Sequence, residues 1–386
     1  MRILVLDTIH GGAELARVLR GSGYQVDEVD VYRGRGGIPI EEALKRSYNL
    51  VTAPVHLDPD HPLLQRHGPA ISHHEMVGRI IGGRRTPQLF IEITGARGKT
   101  TTAHALASLL PGPGILHTST GTYRYPEQAH LWKRSITPAS LIPAAHEARR
   151  IGGWLIAEES LGVTGAGDVA VLTSPEDYPI AAGKKHAMAE KCRLLSRARV
   201  TVLPPGVDLP GRTVAVDDVT AIDDDVCRYG RGTIAGTFTN PLLTLEGYRT
   251  PLSLAATTAC TLGIDPAPLA SFTALPGRMA SWREGGRVIV DNANSGTNVA
   301  TTVEAARYAR TLTDGGALTL VIGEEARAIC EGFSPEDIVQ AVSTVRPTAT
   351  VYVGEGHEAA TLDAGLDRAR ETTPSGAIVL AVKTWR

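Results

Sequence analysis

Residues Glu92–Thr102 read EITGARGKTTT, and they determine the predicted architecture because a glycine-rich loop stands between an apolar strand and a helix. The predicted strand covers residues 88–93, and the predicted helix begins near Lys99 with apolar residues on one face. A strand, a glycine-rich loop and a helix in this order are typical of sites that bind nucleotide phosphates. The stretch therefore predicts an α/β nucleotide-binding domain built on a mostly parallel sheet.

Each residue type in this loop has a chemical reason. Gly95 and Gly98 allow backbone N–H groups to turn toward a polyphosphate, and the helix N-terminus adds its dipole. Lys99 can reach the outer phosphates, and the Thr100 hydroxyl is a suitable ligand for Mg²⁺. The loop is shorter than the usual phosphate loop, with two residues between its glycines instead of four.

Composition narrows the class of protein. The 386 residues carry 39 Lys and Arg against 41 Asp and Glu, which suits a globular enzyme of two or three domains and predicts no nucleic-acid partner. The apolar run at the N-terminus is too short for a signal peptide and no stretch approaches a membrane span, so we expect a cytoplasmic protein without membrane association. No Cys-x-x-Cys pair occurs, which favours inert buried thiols over zinc ligands or disulfides at Cys192, Cys227, Cys260 and Cys330.

The pattern of strands and helices predicts three domains. Residues 1–86 read as a small βα domain, in which the loop at residues 10–12 either approaches a phosphate or substrate or is a plain tight turn. Residues 87–280 alternate strands and helices around the phosphate loop, after a predicted linker at residues 82–87. Residues 281–386 resemble a dinucleotide fold without a phosphate fingerprint.

Two acidic segments follow predicted strands of the central domain. Glu158 and Glu159 stand at the end of the predicted strand WLIAEES, where one carboxylate could bind Mg²⁺ together with Thr100. Side chains alternate along a strand, so only one of the two can point toward the metal. The alternative is that both form an exposed acidic pair. The next strand ends in Glu176, Asp177 and Tyr178 at the same sheet edge. A predicted helix then carries further candidate acid, base or cation groups, namely Lys184, Lys185, His186, Glu190 and Lys191.

The order of these motifs resembles the Mur ligase family, ATP-dependent enzymes that join amino acids to peptidoglycan precursors, and its folylpolyglutamate synthetase relatives. The resemblance covers nearly the whole chain and rests on TGARGKTTT, Thr137-Pro138, Glu158-Glu159-Ser160, Gly277-Arg278-Met279 and Asp291-Asn292-Ala293-Asn294. It implies a central phosphate-loop ATPase domain with a parallel sheet, flanked by N- and C-terminal Rossmann-like domains. It also implies that a substrate carboxylate is activated as an acyl phosphate, which a nucleophile then attacks.

The resemblance further implies roles for individual residues. The implied catalytic residues are Lys99, Glu158 and Lys191, and the implied Mg²⁺ ligands are Thr100 and Glu158. Lys191 matches a lysine that many members carry as a carbamate, an anion suited to a second Mg²⁺, although an ordinary surface lysine is the alternative. ATP would contact Gly95, Ala96, Arg97, Gly98, Lys99, Thr100, Thr101, Arg278 (phosphates) and Asp291 (ribose). The substrate would contact His10, Gly11, Gly12, Thr137 and Asn294.

The chain departs from the family pattern at two places. Ser174 and Tyr178 replace the asparagine and histidine of the N-x-x-x-D-H segment, which puts a second metal site in doubt, with His186 as a candidate substitute. Asn294 and Gly296 replace the histidine and proline of the C-terminal D-x-A-H-x-P turn. These changes suggest a substrate unlike the peptidoglycan ones.

Taken whole, including the opening RILVLDTIHGGAELARVL, the chain looks like the branch of this family, found in methanogens, that closes the last carbocyclic ring of a nickel tetrapyrrole. The favoured partner is therefore a small molecule, a nickel tetrapyrrole acid. Several first-domain histidines would suit a nickel macrocycle, although such residues are more often polar surface groups: His10, His56, His61, His73 and His74. The alternatives are an amide-forming ligase that adds an amino acid to a peptide or glutamyl acceptor, and a partner-dependent or non-catalytic ATP-binding module.

Overall fold

The structure is a computed structural model that describes residues 1–83, 87–313, 316–325 and 332–385. Two compact units account for the chain. The first contains Met1–Thr239 and Thr250–Ala270, and the second contains Asn240–Arg249 and Ser271–Arg386. Among the described residues, no helix is both long and apolar enough to cross a membrane.

The first unit opens with a small parallel sheet and its helices. These elements are β1 (Arg2–Leu6), α1 (Gly12–Gly21), β2 (Gln25–Val29), α2 (Ile40–Lys45), β3 (Leu50–Ala53), α3 (Pro62–His67), β4 (Ile71–Ser72) and α4 (His73–Gly82). The strand order is β2-β1-β3-β4, and every pair is parallel. The continuous apolar run of β1 suits a central strand buried on both faces, and residues 3–6 are fully buried.

A larger sheet carries the phosphate loop. Its elements are β5 (Phe90–Thr94), α5 (Lys99–Leu109), β6 (Gly114–Thr118), β7 (Gly121–Tyr125), β8 (Ala129–Trp132), α6 (Leu141–Arg150), β9 (Trp154–Glu158), β10 (Val169–Leu172), α7 (Ala187–Leu195), β13 (Thr201–Leu203) and β14 (Thr213–Ala215). The strand order is β14-β13-β10-β5-β9-β6-β7-β8. The pairs from β14 to β6 are parallel, whereas β7 and β8 add an antiparallel edge. The predicted α/β class and parallel central sheet are confirmed.

One apolar core joins these two sheets within the first unit. Leu15 of α1 and Val77 of α4 belong to the same buried cluster as Ile115 of β6, Leu141 of α6 and Leu155 of β9. The first βα segment is therefore packed on the central sheet through side chains that water does not reach. The rest of the first unit comprises the hairpin β11 (Pro179–Ile180) and β12 (Lys185–His186), the antiparallel sheet β15 (Thr220–Asp223), β16 (Val226–Arg231) and β17 (Ile234–Thr239), and most of α8 (Glu246–Thr261).

The second unit is built on a five-stranded sheet. Its elements are β18 (Ala280–Glu284), β19 (Arg287–Asp291), α9 (Val299–Thr311), β20 (Leu318–Glu324), α10 (Pro335–Val345), β21 (Ala349–Val353), α11 (Leu362–Thr372) and β22 (Gly376–Lys383). The strand order is β18-β19-β22-β20-β21, and only β18 is antiparallel to its neighbour. This parallel arrangement with intervening helices agrees with the Rossmann-like prediction for the C-terminal segment.

Some predicted elements differ from the structure. Residues 184–186 are not helical, because they form the turn and second strand of the hairpin β11–β12, and α7 begins at Ala187. Residues 84–86 of the predicted linker lie outside the described residues, and so does Cys330. The three described cysteines are free thiols, as predicted. The boundaries predicted after residues 86 and 280 stay predictions.

Candidate active site

The phosphate loop has the backbone that its glycines require. Gly95 has φ 149° and Gly98 has φ 81°, in the region that L side chains rarely adopt. A Cβ at Gly95 would lie 2.1 Å from Oγ1 of Thr173, so no side chain fits there. The loop joins the end of β5 to Lys99, the first residue of α5, as the sequence predicts.

Ser174 and Thr173, at the end of β10, hold the loop from one side. The Ser174 hydroxyl accepts hydrogen bonds from the backbone N–H groups of Ala96 (2.9 Å) and Arg97 (3.1 Å). The Thr173 hydroxyl donates to the carbonyls of Arg97 and Thr94. The sequence marked Ser174 only as a departure from the family pattern, yet its short side chain contacts the loop directly.

Lys99, Thr100 and Glu158 lie together, as predicted. The Lys99 ammonium donates to the Gly95 carbonyl at 3.0 Å and lies 4.0 Å from Oε1 of Glu158. Thr100 donates its hydroxyl to Oε2 of Glu158 at 2.9 Å. The backbone N–H of Ser119 donates to the same oxygen at 3.0 Å, and the Ser119 hydroxyl lies 3.2 Å from that of Thr100. The result is a cluster of oxygen atoms beside a cation at the phosphate loop.

Ser119 is a member of this cluster that sequence reasoning missed. It occupies the turn between β6 and β7, and a lone serine in a turn carries no distinctive sequence signal. The available clue was its position just after β6, because β6 pairs in parallel with β9, the strand that ends in Glu158. Ligands gather at such carboxyl ends of parallel strands.

Glu159 faces away from this cluster, as alternation along an extended chain requires. It is fully buried and lies beside Glu92, another fully buried carboxyl. Burial, followed by the charge of Glu92, raises the pKa of Glu159 well above its usual range. Glu92 is bound by the backbone N–H groups of Thr164 (2.7 Å) and Gly167 (2.8 Å). Of the acidic pair, Glu158 is thus the member beside Thr100.

Lys191 is a buried lysine, not a surface one. It lies on α7, is 0% exposed, and its Nζ makes no hydrogen bond to any described residue. The Nζ atom stands 4.9 Å from the centre of the Tyr178 ring. Burial, and then the positive charge of Lys99, lower the pKa of Lys191 to about 8. The neutral amine is therefore far more populated than in an exposed lysine.

The neighbouring candidates form surface pairs. Nδ1 of His186 lies 2.7 Å from Asp177, and both side chains are well exposed. Glu176 pairs with the Arg97 guanidinium.

The loop after β1 meets the segment that contains Thr137. Gly11 has φ 90°, and a Cβ on it would lie 2.8 Å from the Thr137 hydroxyl. At Gly12 a Cβ would lie 1.6 Å from the Asp7 carbonyl, so both glycines are needed for close packing. The structure thus brings the predicted substrate residues Gly11 and Thr137 together, with His10 at the start of the same turn.

The first-domain histidines are not mainly surface groups. His73 and His74 are 2% and 3% exposed, and burial lowers the pKa of each to about 4. His74 lies 2.9 Å from the Ser160 carbonyl, and His61 caps α3 by accepting the Leu63 N–H. His56 lies beside His10, and burial lowers its pKa to about 4 as well.

The C-terminal candidates form a group within the second unit. Both carboxylate oxygens of Asp291 accept backbone N–H groups, from Gly277 at 3.0 Å and from Ala293 at 3.1 Å. Asn294 donates to the Gly277 carbonyl at 2.6 Å, and the Arg278 carbonyl accepts the Tyr248 hydroxyl at 2.6 Å. The Gly-Arg-Met segment and the Asp291 turn are thus tied to each other. Contact of Arg278 and Asp291 with ATP, and of Asn294 with substrate, stays a prediction.

Comparisons with known proteins agree with this geometry. The family described as "Coenzyme F430 synthetase CfbE, C-terminal domain" matches residues 282–384. A coenzyme F(430) synthetase of Methanosarcina acetivorans is 30% identical over an alignment 475 residues long, which covers 100% of this chain and 99% of the relative.

Solved structures show the same fold. A pseudomurein peptide ligase type C from Methanothermus fervidus superposes with a TM-score of 0.51 at 15% identity, covering 99% of this chain and 97% of that one. A MurF ligase from Thermotoga maritima, solved in complex with ADP, gives a TM-score of 0.51 at 14% identity, covering 89% and 87%. The predicted three-domain Mur-type architecture is therefore confirmed.

Proposed function

The chain belongs to the coenzyme F(430) synthetase family of Mur-type ATP-dependent ligases, and from this premise we propose that it closes the final carbocyclic ring of a nickel tetrapyrrole. The substrate would be seco-F(430) acid, which with ATP gives F(430), ADP and phosphate. The family relationship supports the substrate, and the observation that supports its activation by ATP is the cluster of Lys99, Thr100, Ser119 and Glu158 at the phosphate loop. It supplies a cation for the outer phosphates and oxygen ligands for a metal at one place.

The residues present fit Mg²⁺. Thr100 and Glu158 offer a hydroxyl and a carboxylate 2.9 Å apart, and Mg²⁺ prefers such hard oxygen ligands together with phosphate oxygens. When bound, the ion would offset negative charge on the transferring phosphoryl group. Thr100 and Glu158 are the residues we propose to hold it.

Activation requires one propionate of the substrate to attack the γ-phosphate of ATP in line. An acyl phosphate forms and ADP leaves, while Lys99 offsets charge on the transferring group. A carbon of the same macrocycle, having lost a proton, then attacks the acyl carbon and expels phosphate. Substrate and product therefore differ by one water. Because the nucleophile belongs to the same molecule, the chain's task is to orient the macrocycle and exclude water.

Lys191 is proposed to act as a carbamate. The ammonium would first release one proton, and the neutral amine would then add to CO₂ with loss of a second proton, so that a buried cation becomes an anion. The lowered pKa of Lys191 supports this, because only the neutral amine reacts and the amine is neutral far more often than in an exposed lysine. A carbamate beside Lys99 and the phosphate loop would help to hold a metal–nucleotide complex.

We place substrate binding at the loop of residues 10–12 and at Thr137. The close approach of Gly11 to Thr137 supports this, because it joins the carboxyl edge of the first sheet to the segment between β8 and α6. The absence of nucleic-acid and membrane partners and the cytoplasmic location stay predictions from the sequence.

The proposal is tested by ADP and phosphate release with Mg²⁺ and ATP. Turnover with the nickel seco-tetrapyrrole acid alone, and a product lighter by one water, is the expected result. Turnover only with an added amino acid would instead indicate an amide-forming ligase, and silence with every substrate would indicate a partner-dependent module.

The variant Lys99→Ala should abolish ADP release, since it removes the cation at the phosphate loop. Lys133→Ala, at a lysine of the segment after β8, is the matched control and should retain turnover. A fully active Lys99→Ala enzyme would contradict the phosphate-loop assignment.

A further inference from the structure

Asp7, His10 and His56 form a cluster at the carboxyl edge of the first sheet. Asp7 follows β1 directly, and His56 lies three residues after β3. One ligand atom of each residue lies within 4.8 Å of those of the other two. Imidazole and carboxylate are common ligands of transition metals. The cluster belongs to neither the phosphate loop nor its oxygen ligands.

Asp7 is fully engaged in positioning its neighbours. Its side chain is 0% exposed. One carboxylate oxygen accepts the Ile9 N–H at 2.6 Å, and the other accepts the His10 N–H at 3.1 Å and lies 2.9 Å from Nδ1 of His10. A carboxylate only accepts, so Nδ1 carries the proton and Nε2 carries the lone pair. This is the carboxylate–histidine arrangement that orients a metal-binding imidazole.

The His10 ring is fixed by its surroundings, while its Nε2 is available. His56 and Tyr32 pack edge-on against it, with ring centres 4.7 Å and 5.1 Å away. The His10 side chain is 43% exposed, and its Nε2 makes no hydrogen bond within the part of the chain that the structure describes. The Tyr32 ring that packs against His10 is 42% exposed, and Ile9, the preceding residue, is 37% exposed, so exposed apolar side chains accompany His10 in this region.

We propose that Nε2 of His10 is an axial ligand to the nickel of the tetrapyrrole substrate, with Asp7 as its positioning residue. The inference rests on the proposed function and specifies how the macrocycle is bound. A nickel ion whose four equatorial positions are filled by the macrocycle can accept one protein donor from one face, and Nε2 of His10 is the donor in the cluster whose ring is oriented by a carboxylate. The apolar surface of Ile9 and Tyr32 would lie under the ring system.

The position of His10 also suits the reaction. The next residue, Gly11, packs on Thr137, and the carbonyl of Ile136 beside it accepts the Ser160 N–H at 3.0 Å. Ser160 follows the Glu158-Glu159 pair at the end of β9. A macrocycle anchored through its metal at His10 would therefore rest near the end of β9, whose Glu158 contacts Thr100 at the start of α5.

The test measures nickel coordination without ATP, using the full-length protein and the nickel seco-tetrapyrrole acid. X-ray absorption at the nickel edge should show an added nitrogen ligand, and the optical spectrum should change with it. The variant His10→Ala should lose both signals, and free imidazole should restore them. Asp7→Asn should weaken binding by about 10–100-fold, as loss of an outer-shell partner does. His146→Ala, which removes an exposed histidine of α6, is the control and should match the wild type.

A nickel-free form of the macrocycle separates ligation from a general loss of shape. His10→Ala should weaken binding of the nickel compound at least about tenfold, because removal of the ligand should cost no less than loss of its outer-shell partner, and it should leave binding of the nickel-free compound unchanged. Equal losses for both compounds would overturn the proposal, as would a wild-type nickel spectrum in His10→Ala. Tight binding of Ni²⁺ alone, with no change in the macrocycle spectrum, would indicate a site for a bare ion instead and would also overturn it.

These outcomes are distinct from those of the proposed function. Ring closure by the wild type with an unchanged nickel spectrum would support the ligase assignment and contradict the proposed axial ligand. An added nitrogen ligand without ADP release on addition of ATP would support the ligand and contradict the ligase assignment.

Discussion

Replacing Lys191 with methionine should stabilise the folded protein at neutral pH, although it removes the residue proposed to form a carbamate. Methionine keeps an unbranched side chain in the buried space and removes the charge. The pKa of Lys191 falls from 10.5 to about 8 on folding, because burial and Lys99 disfavour the ammonium form. At about 1.4 kcal/mol per pKa unit, this drop corresponds to about 3 kcal/mol of destabilisation by the buried cation. The variant also loses the favourable contact between the ammonium and the Tyr178 ring, which costs about 1 kcal/mol. The net stabilisation expected of Lys191→Met is therefore about 2 kcal/mol.

The gain should depend on pH in a defined direction. Between the folded pKa of about 8 and the unfolded value of 10.5, the unfolded chain binds more protons at Lys191 than the folded chain does. The free energy of unfolding of the wild type therefore rises with pH through this window. The destabilisation caused by the buried Lys191 ammonium is greatest at pH values below the window. The advantage of Lys191→Met should accordingly be largest at pH 7 and shrink as the pH approaches 10.

Denaturant unfolding of both proteins in CO₂-free buffer from pH 7 to pH 10 measures this difference. Lys184→Met is the matched control, since Lys184 is an exposed lysine paired with Asp58 and Asp60, and such pairs contribute about 0–1 kcal/mol. Bicarbonate should stabilise the wild type and not Lys191→Met, because carbamate formation removes the buried cation. Parallel stability curves for the wild type and Lys191→Met across this pH range would show that the buried ammonium carries no such cost.

Three further substitutions examine the phosphate loop and its acidic neighbours. Glu158→Gln should reduce Mg²⁺-dependent ADP release by about 10²–10³-fold, as loss of one electrostatic contact in the transition state does, with unchanged unfolding as the control. Ser174→Ala leaves two N–H groups of the loop without their acceptor, which costs about 1–2 kcal/mol. The Kd for ATP, measured by calorimetry, should therefore rise about tenfold. An unchanged Kd would contradict the role of Ser174. Because the pKa of Glu159 is raised on folding, the folded chain keeps this proton to a higher pH than the unfolded chain, and the wild type should lose stability as the pH rises above 4.5. Glu159→Gln should make this loss smaller. Identical profiles of stability against pH for the two proteins would contradict the raised pKa.

The sequence predicted those parts of the site that are encoded locally. The phosphate loop was readable because φ above zero requires glycine at residues 95 and 98, and because Lys99 and Thr100 follow within one turn of helix. Glu158 was readable as one of a pair at a strand end. Choosing between the two carboxyls required knowledge of which face of β9 meets α5, and that is a property of the packed sheet.

Residues whose role depends on distant contacts were less accessible. Ser119 reaches Glu158 only because β6 pairs with β9 across 39 residues of sequence. The helix predicted over residues 184–186 was wrong because Ala181 and Ala182 adopt positive φ and, with Gly183, turn the chain into a hairpin. Such φ values are unusual for alanine, so composition gives no warning of them.

The two departures from the family pattern near β10 each make a contact in the candidate site. Ser174 is short enough for its hydroxyl to accept two N–H groups of the phosphate loop. Tyr178, four residues later, replaces a histidine with a ring that offers its face to the Lys191 amine at 4.9 Å. An aromatic face attracts a cation but carries no lone pair for a metal, and it would lose that attraction if Lys191 became a carbamate. The state of Lys191 should therefore decide where the Tyr178 ring lies. A Tyr178→Phe variant keeps the ring and removes only the hydroxyl, so it should retain the pH dependence of stability that we attribute to Lys191, whereas Tyr178→Ala should change it.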